Sequence, residues 1–157
     1  MEIRKATSND IASLVSLNNT VQRIHAEAHP HIFKYPTDPQ EMGLFFSQHL
    51  DKENDIFLLA IDESEAAAGY VWAAVNCAPE DAFRFERRIM YINQMAVAPT
   101  HRHTGVGRML MQRLEEYARE LQIQRVDLDS WMFNKEAHTF FEKIGFAKYN
   151  IKFWKYL

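Results

Sequence analysis

The sequence predicts an α/β fold built on a mixed sheet, and three observations carry that expectation. Residues 56–61 and 66–75 read as two apolar strands joined by the polar turn Asp62-Glu63-Ser64-Glu65, which makes a hairpin. From residue 88 onward, strand and helix patterns alternate as strand, helix, strand, helix, strand, the order that crossover connections produce. Parallel pairing in that half and a hairpin in the other require a mixed sheet flanked by helices.

Each element has a local reason. Residues 2–7 alternate well enough for a short edge strand. Ser8-Asn9-Asp10 supplies N-cap oxygens ahead of Ile11, Leu14, Val15 and Leu17, which are apolar at helical spacing. This helix is expected to fade near His25, because Pro30 and Pro36 fragment the segment beyond it. A second helix starts at Asp38-Pro39, with proline in its first turn, and runs to about Leu50. Arg88–Ala98 is rich in strand formers (Ile89, Tyr91, Ile92, Val97) and is stopped by Pro99. Past Gly105, Val106, Leu110, Leu114, Tyr117, Ala118 and Leu121 recur at intervals of three and four, the pattern of an amphipathic helix. Arg125–Trp131 is the next strand, with Val126 and Leu128 on one side and Asp127 and Asp129 on the other. Asn134–Lys143 is a short helix ended by Gly145, and Phe146–Leu157 is expected as a final strand. Its aromatic residues Phe153, Trp154 and Tyr156 either complete the sheet or form a homodimer contact.

Composition narrows the function. With 157 residues and 47% hydrophobic side chains, the chain is expected to form one domain spanning residues 1–157. A net charge of -3 argues against a nucleic-acid partner, which calls for a basic excess. The longest apolar run, Ala66–Val75, is about half of a membrane span, and Met1-Glu2-Ile3-Arg4-Lys5 lacks the apolar core of a secretory signal. Cys77 is the single cysteine, so neither an internal disulfide nor a thiolate metal cluster is expected. A cytoplasmic protein without membrane contact or metal is the expectation.

The segment from Val97 to Arg108 carries the chemistry. A strand stops, a polar loop comes next, and a helix opens on Gly105 and Gly107. Amides at a helix start have no intrahelical acceptors and sit at the positive end of the dipole, and glycines let a phosphate come close. Arg102, His103 and Arg108 add donors, although two glycines at a turn are equally consistent with a tight bend alone. No lysine follows Gly107, which excludes a P-loop, and Leu110 stands where a dinucleotide fingerprint needs a third small residue.

Arg102-x-x-Gly105-x-Gly107 after a strand ending Val97-x-Pro99 resembles motif A of the GNAT superfamily of N-acetyltransferases. Asn134-x-x-Ala137-x-x-Phe140-Phe141-Glu142-Lys143-x-Gly145-Phe146 resembles that family's second motif, and the likeness runs from about Tyr91 to Phe146. The resemblance implies a three-layer fold whose mostly antiparallel, twisted sheet contains a splayed central parallel pair, here Arg88–Ala98 and Arg125–Trp131. Acetyl-CoA would lie between those strands, its pantetheine arm pairing with the main chain of Met95, Ala96 and Val97. The Met95 amide would face the thioester oxygen. The run His103, Thr104, Gly105, Val106, Gly107 and Arg108 would hold the pyrophosphate, with Arg102 beside it. Asn134 would contact pantetheine, a role compatible with capping its helix.

The implied reaction is acetyl transfer to a primary amine of a small molecule or peptide, which needs a proton acceptor. Asp129 occupies a position where some family members carry that carboxylate, although a solvated carboxylate is the plainer reading. Tyr91 and Asn93, at the period that places them on one face with Met95, are positioned for a water relay. The sequence departs from the family at Phe141, where a tyrosine commonly protonates the leaving thiolate and phenylalanine has no proton to give. Tyr149 or His138 would have to substitute, or solvent would quench the thiolate. Otherwise the chain is a non-catalytic acyl-CoA-binding module. Acceptor selection is expected from residues 21–50, whose His29-Pro30-His31 reads as a surface loop in preference to a metal pair. Phe83 and Phe85 either cap the acceptor site or pack on the core.

Overall fold

The computed structural model describes residues 1–157. Five strands form one sheet in chain order: β1 Glu2–Lys5, β2 Asp55–Ile61, β3 Ala67–Ala78, β4 Arg87–Val97 and β5 Val126–Leu128. Neighbours are antiparallel except β5, which runs parallel to β4. Helices α1 Ile11–Ala28 and α2 Pro39–Leu50 cover one face, and α3 Val106–Glu120 and α4 Lys135–Lys143 cover the other. The result is the three-layer, mixed-sheet architecture that the sequence implies.

Burial follows the pleat. β2 is buried continuously from Ile56 to Ala60 because helices cover both of its faces. Ile56, Leu58 and Ala60 join Val71, Met90, Leu110 and Leu114 under α3, while Phe57 and Leu59 join Tyr70, Trp72, Leu14 and Phe46 under α1 and α2. α2 starts where expected, with the Asp38 carboxylate accepting from the amides of Gln40 and Glu41.

Three expectations need correction. α1 does not fade at His25 but continues to Ala28, since the ring nitrogen Nδ1 of His25 bonds the Val21 carbonyl at 2.8 Å and the helix meets no obstacle before Pro30. β5 stops at Leu128 instead of Trp131. The final strand over Phe146–Leu157 does not form. Its apolar alternation is real, but side chains tether it instead of a backbone ladder: Tyr149 donates to Asp127 and Lys152 pairs with Asp129. Phe153, at 91% exposed, therefore completes no sheet.

The first turn is held by charge. Arg4 forks onto Asp10 at 2.7 and 2.8 Å, and Asp10 also accepts from the Thr7 amide at 2.8 Å. The Arg4 guanidinium, with help from Thr7, holds the Asp10 carboxyl down at about 2. The carboxylate thus contributes stability above its unfolded pKa of about 4, and that contribution is lost as pH falls toward the folded value. Asp10→Asn is expected to cost about 1–2 kcal/mol at neutral pH. In thermal melts the gap between the variant and the wild type should close as pH drops from about 4 to about 2. A gap that persists unchanged through that window would rule out the ionic origin.

Candidate active site

The open feature of the sheet lies between β4 and β5. The two strands pair only at Met90–Val126, Tyr91–Asp127 and Ile92–Leu128, and then β4 runs on alone to Val97. On its other side β4 stays paired to β3, with a break in register: Ile92 faces Ala73 and Gln94 faces Trp72, so Asn93 is an extra residue, a β-bulge. The bulge exchanges the faces of everything after it. Met90 and Ile92 point under α3, whereas beyond Asn93 it is Met95 and Val97 that pack toward α3, and Ala96 that turns to α1. Tyr91, Asn93 and Met95 therefore do not share a face, contrary to the period of an unbroken strand. Tyr91 points away from α3, Asn93 sits exposed in the bulge, and Met95 packs toward α3.

The bulge also decides which amides are free. The Ala98 amide donates to Ala68 of β3 at 2.8 Å, so by alternation Ala96 faces β3 while Met95 and Val97 present N–H and C=O to the cleft. No strand pairs with those groups. Of the expected main-chain trio, Met95 and Val97 are available and Ala96 is already committed to the ladder with Tyr70.

Past β4, a 3-10 turn at Pro99–His101 leads to α3, anchored where His101 meets Asp62 at 3.1 Å. His103 and Gly105 take positive φ of 63° and 95°, which curls the chain so that successive amides point one way. From His103 to Arg108 no amide finds a protein acceptor, at the positive end of a 15-residue helix. A Cβ on Gly107 would lie 3.2 Å from Phe140 and 3.3 Å from Met95, so the helix start, β4 and α4 meet there without room for a side chain. Arg102 and His103 reach toward Glu136 at 3.9 and 3.6 Å, and Arg108 is exposed. Such a run of free donors at a helix start can bind a pyrophosphate. Asn134 caps α4 by accepting from the Ala137 amide at 3.2 Å, which leaves its side-chain N–H groups uncommitted.

Asp127 on β5 and Asp129 just past its end differ. Asp127 is buried and accepts from Arg125 at 2.7 and 2.9 Å and from Tyr149 at 3.0 Å. Asp129 is largely exposed and paired with Lys152, whose ammonium holds its carboxyl below the usual range with help from Tyr91. Burial, reinforced by the Asp129 charge, pushes Tyr91 up to about 12, so its phenol stays protonated. Tyr91 and Asp129 are thus brought together, away from Met95's side chain. Phe141 packs between Phe140 and Phe146 at ring distances of 5.2 and 5.5 Å, half-buried against the core under α3. Phe83 and Phe85 lie exposed and pack on nothing. His29 meets Trp131, Phe133 and Trp154 in tilted and edge-on contacts.

Sequence reasoning did not find Asn18, Tyr70 and Gln94. They form a polar trio beneath the bulge on the α1 face, with Asn18 donating to Tyr70 at 2.9 Å and both donating to Gln94 at 3.0 Å. Their separation in the chain leaves no local pattern to read.

A sheet that parts beside a bulge, with a donor-rich helix start at its end, leaves a row of free main-chain donors along one edge. The chain belongs to the acetyltransferase (GNAT) family, whose model matches residues 18–146. A Bacillus subtilis (strain 168) protein named uncharacterized N-acetyltransferase YhfO is 23% identical over 148 residues, 94% of this chain and 91% of its own. A mutant of the BH1408 protein from Bacillus halodurans has the same fold, with a TM-score of 0.92 and 24% identity, covering 100% of this chain and 99% of that one. The aminoglycoside antibiotic 6'-N-acetyltransferase AAC(6')-Ih from Acinetobacter baumannii is similar at a TM-score of 0.78 and 15% identity, covering 99% and 97%.

The unequal burial of the two aspartates sets their unequal worth to stability. Asp127→Asn leaves the Arg125 fork and Tyr149 facing an amide and is expected to cost about 1–3 kcal/mol. Asp129→Asn breaks an exposed pair and should stay within about 1 kcal/mol. Urea unfolding of both variants checks this, and equal losses would contradict it.

Proposed function

We propose that this protein transfers the acetyl group of acetyl-CoA to a primary amine of a small molecule or peptide. The observation that carries the reading is the coincidence of two free donor sets, the Met95 and Val97 amides along the cleft and the amides from His103 to Arg108 at its end. Acetyl-CoA supplies a thioester carbonyl open to attack and a thiolate leaving group. The chain supplies the rest. His103–Arg108, with Arg102 beside them, hold the pyrophosphate through backbone donors and the helix dipole. Met95 and Val97 hold the pantetheine arm as a strand would, and Asn134 offers its free amide to it. The Met95 N–H is the donor that polarises the carbonyl. Asp129 takes the proton of the incoming ammonium through the Tyr91 hydroxyl or a water at Asn93. All of this lies within a single domain, residues 1–157, acting in the cytoplasm.

Membership of the family supports acetyl-CoA as the cosubstrate, and a neighbour named for N-acetylation of an aminoglycoside supports a small amine as acceptor. A second reading, acyl-CoA binding without transfer, is favoured by one observation, the apolar packing of Phe141 where a proton donor would stand. Release of free thiol from acetyl-CoA against a panel of amines separates the two. Amine-dependent release is expected, and tight CoA binding with no release would replace the enzyme with the binding module.

Asp129→Asn is expected to lower kcat on amines about 10²-fold while leaving acetyl-CoA affinity unchanged. Gly107→Asp should do the reverse, abolishing measurable CoA binding in calorimetry. Its cost in stability should be about 1–3 kcal/mol, because the new side chain meets Phe140 and Met95. CoA binding that survives Gly107→Asp would count against the loop as the pyrophosphate site.

A further inference from the structure

We propose that Gln94 selects the acceptor: its carboxamide N–H groups bind an oxygen that the substrate carries near its reacting amine. Amines bearing an ether, hydroxyl, carbonyl or carboxylate oxygen a few bonds from the nitrogen are then taken over plain alkylamines. This rests on the reading that transfer occurs along the open edge of β4.

The geometry begins at the bulge. Asn93 turns Gln94 onto the α1 face, directly before Met95, whose amide looks into the cleft. There the Gln94 oxygen accepts from Asn18 Nδ2 and from the Tyr70 hydroxyl, each at 3.0 Å, and Asn18 also donates to Tyr70 at 2.9 Å. A carbonyl oxygen has two lone pairs, and both are used. Asn18 and Tyr70 are only 5% and 0% exposed, and turning the Gln94 carboxamide over by itself would set its N–H groups against the Asn18 N–H that now donates to it. With Asn18 donating to it, the carboxamide oxygen is turned inward and its nitrogen outward.

That nitrogen has no partner in the protein. Nε2 of Gln94 makes no hydrogen bond, and it is not among the fully buried polar atoms of this half-buried residue. Here two buried groups hold the oxygen and leave the donors free beside Met95. A neutral N–H pair suits an uncharged oxygen or a carboxylate and gives no grip on an alkyl chain. Asn18 and Tyr70 act through Gln94 and are positioning residues.

The test compares 2-methoxyethylamine, whose oxygen can only accept, with n-butylamine, which has a methylene in its place. The ratio of kcat/KM for the ether over the alkylamine is measured in the wild type, Gln94→Leu and Gln94→Glu, with acetyl-CoA affinity as a control. Gln94→Glu keeps an oxygen for Asn18 and Tyr70 and so preserves the fold, while replacing the outward donor with a carboxylate oxygen. Both variants are expected to lower the ratio about 10-fold, chiefly through KM for the ether, with acetyl-CoA affinity unchanged. A purely structural glutamine would slow both amines alike and leave the ratio where it was, which overturns the proposal. Turnover with an unchanged ratio sinks this inference alone. CoA binding with no turnover on any amine sinks the transfer reading and this inference with it.

Discussion

One inserted residue, Asn93, sets the geometry on which the whole cleft depends. Without it β4 would keep its faces in step with β3, and Met95 and Val97 would point their side chains toward α1. With it, their side chains join the core under α3 and their amides face the space that β5 leaves by ending at Leu128. Free amides in a sheet are normally a liability, open to pairing with another chain. Here they are short in extent and flanked by a helix start, and in the proposed reading they pair with an extended ligand instead of a neighbouring protein.

The surroundings hold this opening rigid. β2 and β3 are buried on both faces and fix β4 from one side. On the other side β5 is only three residues long, and it is braced less by its ladder than by Asp127, which gathers Arg125 and Tyr149. Tyr149 brings the C-terminal segment against the strand, and Arg125 lies over its ring at 4.8 Å. Lys152 adds a tether at Asp129. The carboxylate that is the proton acceptor in the proposed reaction is thus also an anchor. Its pairing lowers its basicity and keeps it ionised across neutral pH, so the neutral-range pH dependence of transfer falls to the amine substrate.

Much of this was legible in the residues themselves. Asp38-Pro39 announced α2, the period of Val106, Leu110 and Leu114 announced α3, and the run Arg102 to Arg108 stood out because glycines and basic residues come directly after a strand stop. What escaped were features set by tertiary pairing. A bulge leaves no compositional mark, so Tyr91, Asn93 and Met95 read as one face when they are not. The alternation of Tyr149, Ile151 and Phe153 looks like a strand, yet a strand needs a neighbour to bond, and none pairs with it. Asp127 and Asp129 look alike in sequence, and only the fold buries the first. Asn18, Tyr70 and Gln94 come from α1, β3 and β4, and their convergence appears only once those elements pack.

Amide hydrogen exchange resolved at single residues, with and without acetyl-CoA, tests the central claim most directly. Ala96 is committed to β3 and should exchange slowly in both states, whereas Met95 and Val97 should be fast in the free protein. Binding is expected to slow Met95, Val97 and the amides from His103 to Arg108 together, and to leave Ala96 unchanged. Acetyl-CoA that binds while Met95 and Val97 continue to exchange at their free rates would contradict the assignment of the cleft.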